Sequence, residues 1–135
     1  MRRLTLLLLL LALPGWAAPA DELAAGRKLL SRYGWTSESG TVEMAYTVGE
    51  SLMGQPESLY QAASQKVGLD LSVAVGREVK IVRYTLSRRS SETHSAIFAQ
   101  VAFYRSKIIG AWLSTDAPIA PGVAALDEGN FGHDF

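Results

Sequence analysis

The chain has 135 residues, with thirteen basic and thirteen acidic side chains, two histidines and no cysteine. The absence of cysteine excludes a disulfide framework, a thiolate metal site, a nucleophilic cysteine and the lipidated cysteine that tethers a bacterial lipoprotein. The balanced charge argues against a dedicated nucleic-acid binder, which carries a strong basic excess.

The first twenty residues have the layout of a secretory signal peptide. Arg2 and Arg3 form a positive start, Leu4 to Leu13 is apolar except for Thr5, and Pro14-Gly15 breaks the run. Ala18-Pro19-Ala20 then supplies small residues before a cut. Cleavage after Ala20 leaves Asp21 as the new N-terminus, with a cut near Ala17 or Ala18 as the alternative. The apolar run is well short of the roughly 20 residues needed to cross a bilayer, so it does not read as a retained anchor. The expectation is an exported, extracytoplasmic protein, periplasmic or secreted, with no membrane anchor after cleavage. The expected division is 1–20 signal peptide, 21–117 a single domain, and 118–135 a Pro/Gly-rich C-terminal tail.

In the domain, the pattern predicts a helix from Glu22 to about Tyr33, capped by Asp21 and stopped by Gly34. Leu23, Gly26, Leu30 and Tyr33 form its apolar stripe. Thr36 to Gly40 reads as a polar loop. From Thr41 to Val48 apolar and polar residues alternate strictly, the mark of a half-buried strand. Pro56 is placed to open a second helix that ends at Gly68. Its apolar side is thin, which suits a peripheral helix on a sheet.

Leu69 to Gly76 reads as a connector. Glu78 to Ser87 is a strand whose apolar phase slips between Ile81 and Val82, implying a bulge or burial on both faces. Arg88 to Thr93 reads as a loop, Ser95 to Tyr104 as an apolar strand, and Ile108 to Leu113 as its partner across the tight Arg105-Ser106-Lys107 connection. Beyond Ser114, Pro118, Pro121, Gly122, Gly129 and Gly132 punctuate a segment that wraps the domain or trails from it. The expected fold is α+β: an antiparallel sheet of about four strands with two helices packed on one face, in the order helix-strand-helix-strand-strand-strand.

Several stretches carry a family resemblance. They are Leu29-Leu30, Gly34-Trp35, Tyr60, Gly68-Leu69-Asp70-Leu71, Gly76, Val82-Arg83-Tyr84-Thr85, Val101-Ala102-Phe103-Tyr104 and Ile108-Ile109-Gly110. In these the chain resembles, from Arg27 to about Ala117, a bacterial family known only as domain of unknown function 4830. The resemblance implies an extracytoplasmic α+β domain and brings no activity with it. Two departures stand out. Ala111-Trp112-Leu113 follows Gly110 where family members usually carry glycine and an acidic residue, and the cysteine often found just downstream is missing.

No motif specifies a reaction. Gly49-Glu50-Ser51-Leu52-Met53-Gly54 is one residue too long for a nucleophile elbow and reads as a turn. Glu92 with His94, and His133 with Asp134, lack metal-ligand spacing and read as solvated loop residues, so no metal and no cofactor is expected. Arg83 is a charge in mid-strand. With Thr85 it could offer a polar patch to an anionic ligand, or it could pair with Glu43 across the sheet. Trp112 reads first as core bulk, with an exposed interface anchor as the alternative.

The leading expectation is a non-enzymatic binding or regulatory module outside the cytoplasm. It would contact an unknown protein or envelope component through a sheet edge or a face carrying Arg83, Thr85 and Trp112. One alternative is a cell-envelope hydrolase using paired carboxylates drawn from Glu43, Glu50 and Asp70. The other is a structural subunit of an envelope assembly.

Overall fold

The structure, a computed structural model, describes residues 18–49, 52, 54, 56–89, 95–115 and 122–131. In chain order the elements are α1 (Ala18–Arg32), β1 (Ser37–Thr47), α2 (Glu57–Lys66), a 3-10 turn (Leu71–Ala74), β2 (Glu78–Arg89), β3 (Ala96–Tyr104), β4 (Lys107–Thr115) and β5 (Val123–Ala124). The strands form one sheet in the order β1-β2-β3-β4-β5, each antiparallel to the next. The α+β class and the expected order of elements hold. The expected cut after Ala20 falls inside the first turn of α1.

The placement of both helices on one face does not hold. Along β2, Val82, Tyr84 and Leu86 join a core with Leu29 and Leu30 of α1, while Val79 and Ile81 join a separate core with Ala63 of α2. Alternate residues of a strand point to opposite faces, so α1 covers one face of the sheet and α2 the other. This double burial also accounts for the phase slip at Ile81-Val82. The register of β2 runs unbroken through it, and the irregularities lie elsewhere, opposite Ser37–Thr41 and between Thr85 and Arg89.

Small residues let each helix approach the sheet. A Cβ on Gly26 of α1 would sit 2.0 Å from the Tyr84 hydroxyl, so only glycine fits there. That hydroxyl donates to the Leu23 carbonyl at 3.1 Å. Burial pushes the phenol up to about 12. On the other face, a Cβ on Gly110 would fall 2.4 Å from a methyl of Leu71 in the 3-10 turn and 3.2 Å from the Ser64 hydroxyl of α2. Both helices end in the same way. Trp35 N–H reaches back to the Leu30 carbonyl and Leu69 N–H to the Ser64 carbonyl, each across a glycine with positive φ, Gly34 or Gly68. This is the Schellman closure that glycine permits.

Four expected boundaries move. The supposed loop at Thr36 to Gly40 is mostly the start of β1, and Arg88 and Arg89 belong to β2 rather than to a loop. The expected connector after Leu69 contains the 3-10 turn, capped by Asp70, whose carboxylate accepts from Ser72 N–H at 2.9 Å. The fifth strand comes from the Pro/Gly-rich tail. Residues 122–131 are laced into the domain: Trp35 Nε1 donates to the Leu126 carbonyl at 2.8 Å, and Arg88 donates to the carbonyls of Gly129 and Phe131. Leu126 is fully buried, and Phe131 nearly so.

Candidate interaction edge and its adjoining cleft

One edge of the sheet is closed. β5 is only two residues long and pairs with Leu113 and Ser114 of β4. Where it stops, the buried hydroxyl of Ser64 accepts from Ala111 N–H at 3.1 Å and reaches the Ala111 carbonyl at 3.3 Å. A single side chain thus meets both edge groups that a longer β5 would have met.

The other edge is different. β1 pairs with β2 and, among the described residues, with no other strand. Its register against β2 is regular from Thr41 to Thr47. Val48 N–H bonds to the Arg77 carbonyl and the Val48 carbonyl accepts from Gly76 N–H, so the main chain of Val48 faces β2. By antiparallel alternation Val42, Met44 and Tyr46 also face β2, and Thr41, Glu43, Ala45 and Thr47 turn their N–H and C=O groups outward. Side chains on both faces of the strand are accessible. Val42 and Met44, on the α2 face, are 48% and 39% exposed, and Glu43 and Ala45, on the α1 face, are exposed as well.

A cleft of about 540 Å³ adjoins this edge on the α1 face, lined by Glu22, Glu43, Ala45, Lys80 and Arg105 among others. Lys80 donates to the buried Glu22 carboxylate at 2.6 Å. That hydrogen bond, with the negative charge of Glu22 and Glu43 behind it, holds the Lys80 ammonium above its ordinary range against the opposing effect of burial. The hairpin turn beside the cleft places Arg105 and Ser106 at φ 50° and 63°. This is the left-handed pair that a two-residue hairpin needs, here without glycine.

The three residues singled out in the sequence share one face. Val42, Arg83, Gln100 and Trp112 form a cross-strand row, and Thr85 lies opposite Phe98 in the next. Arg83 lays its guanidinium over the Phe98 ring at 4.5 Å. It does not pair with Glu43, which is in register with Val82 and therefore points to the other face. Arg83 and Thr85 are half-buried, whereas Trp112 is 1% exposed and stacked on Tyr60 at 4.3 Å. Trp112 is core, not an exposed anchor.

Of the carboxylates considered, Glu43 lines the cleft, but Asp70 is tied to Gln61 and Ser72 at the 3-10 turn. Those hydrogen bonds hold its carboxyl below the ordinary carboxylate range. Glu50, Ser51, Glu92, His94, His133 and Asp134 lie outside the described residues. Sequence reasoning missed the Glu22–Lys80 pair. The available signal was parity: Lys80 is also a charge in mid-strand, in phase with Val82 and Tyr84 on the face that α1 covers. Among the described residues no helix is long and apolar enough to cross a membrane, and no three acidic or histidine side chains group to hold a metal ion.

A family model described as a domain of unknown function (DUF4830) covers residues 29–113, more than half of the chain. No curated protein and no solved structure matches.

Proposed function

We propose that this chain, which belongs to the family of domain of unknown function 4830, is a non-enzymatic binding module that takes an extended segment of a protein partner onto the edge of its sheet at β1. One observation carries the reading: a regular strand, Thr41 to Thr47, turns a row of main-chain donors and acceptors outward with no neighbouring strand among the described residues. Long apolar edges of this kind recruit a further strand, with main-chain hydrogen bonds supplying affinity and alternate side chains supplying selectivity. Val42 and Met44 would cover the incoming strand on one face, and the cleft around Lys80 would meet polar side chains on the other.

The work of such a module belongs outside the cytoplasm, a placement that rests on the signal-peptide layout of residues 1–20. The hydrolase alternative has less behind it. Asp70 serves the turn, and Glu22 is committed to Lys80.

The test is affinity capture with the full chain as bait, in parallel with Ala45→Pro. Proline at Ala45 deletes an outward N–H that β2 does not use, a substitution edge strands tolerate. A partner retained by the wild type and lost by Ala45→Pro supports strand addition. A partner retained equally by both contradicts it.

A further inference from the structure

The exposed stretch of β1 is symmetric about its own centre in the properties that matter for pairing. Met44 is the middle residue of the regular run from Thr41 to Thr47. Rotating a second β1 about a twofold axis at Met44 sets Thr41 opposite Thr47, Val42 opposite Tyr46 and Glu43 opposite Ala45. Each residue with outward main-chain groups then meets another of the same kind. Four residue pairs exchange both of their hydrogen bonds, about eight bonds in all. Met44, Val42 and Tyr46 fall at non-hydrogen-bonded positions, where opposed side chains come closest. Val42 and Met44 are exposed in the single chain, and Tyr46 is half-buried.

Charge and main-chain bonding select this register over its neighbours. Centring the axis one residue earlier stacks Glu43 on Glu43, and like charges directly opposite are destabilising. Centring it one residue later on Ala45 brings in Gly49, whose N–H is already bonded to the Glu57 carboxylate at 3.0 Å. At Met44 the partner's Glu43 sits across Ala45 from Lys80, since Ala45 is in register with Lys80. Alanine is small enough for the lysine stem to lean over it. The open side of the Glu22–Lys80 cleft, bounded in one chain by Glu43 and Ala45, gains the partner's β1 as its far wall.

Resting on the strand-addition reading above, we propose that the segment added at β1 is β1 of a second copy of this chain, antiparallel about a twofold axis at Met44, giving one continuous sheet across two protomers and completing the Lys80 cleft from both sides.

The chain contains no cysteine, so Met44→Cys introduces a single thiol on the proposed axis. Opposed Cα atoms at such a position are about 4.5 Å apart, inside the range a disulfide spans. Oxidation of the full-length variant is expected to give a covalent dimer. Val73→Cys, at a position 61% exposed and off the edge, should remain monomeric at the same concentration. In sedimentation, Ala45→Glu, which faces the partner's Glu43, should weaken association about tenfold or more, and Glu43→Lys added to it should restore association.

Equal crosslinking of the Met44→Cys and Val73→Cys variants, or a wild-type chain that sediments as a monomer at every concentration, overturns the second copy as occupant. In that event a partner captured by the wild type and lost by Ala45→Pro would still uphold strand addition. Capture indifferent to Ala45→Pro would remove both.

Discussion

The two edges of the sheet are built in opposite ways. At the β4 side, closure is assembled from separate devices. A two-residue β5 pairs with Leu113 and Ser114, and the Ser64 hydroxyl serves both main-chain groups of Ala111. The tail that brings β5 into place is held by Trp35 and Arg88. At the β1 side, a longer and more regular strand has no neighbouring strand beyond β2 among the described residues, and its Val42 and Met44 side chains are exposed. The difference separates stability from recognition: substitutions at the closed edge should destabilise the domain, and substitutions at the open edge should leave its stability nearly unchanged and alter what it binds.

The largest effect falls at the closed edge. Trp112→Ala empties the space beneath Tyr60 and should cost about 3–5 kcal/mol in chemical denaturation. A cost near zero would mean that the stack does not hold α2 to the sheet. Next comes Ser64→Ala, which strands the buried N–H and C=O of Ala111 and should cost about 1–3 kcal/mol. A neutral result would show that some other group closes the edge beyond β5.

Asp70→Ala removes the cap of the 3-10 turn that packs against Gly110, and should cost about 1 kcal/mol at neutral pH. Because hydrogen bonding lowers the folded-state pKa of Asp70, its contribution is present above the ordinary carboxylate pKa. It is lost as the pH falls through the depressed folded value. The stability gap between wild type and Asp70→Ala should therefore close in strong acid; a gap that persists there would point to a packing effect. The smallest expected change is at the open edge. Val42→Thr, compared at low protein concentration, should alter stability by no more than about 0.5 kcal/mol. A larger loss would mean that Val42 is covered by its own chain.

Much of the element order can be read from residue patterns alone. Period-two alternation from Thr41 to Val48 and the apolar run ending at Tyr104 both became strands, and Gly34 and Gly68 ended their helices. What alternation does not reveal is which face a helix will cover. α2 docks through Ala63, Ser64 and a glycine on the opposing strand, and its thin apolar side looked peripheral although Ser64 is wholly buried. β5 is too short to have a period. Ser37 to Gly40 looked like a loop because an edge strand has little need of apolar side chains. Arg83 stands out in the sequence as a mid-strand charge, but its partner is the Phe98 ring rather than Glu43, and only the cross-strand register tells the two faces apart.

The most direct measurement is residue-resolved amide hydrogen exchange along β1 at two protein concentrations. At the lower one, Val42, Met44 and Tyr46 should be protected by β2 while Thr41, Glu43, Ala45 and Thr47 exchange freely, a strict alternation along one strand. At the higher one the outward amides should become protected as the second strand arrives. Outward amides already protected in the dilute chain would mean that the edge is not open, and would contradict the account at its centre.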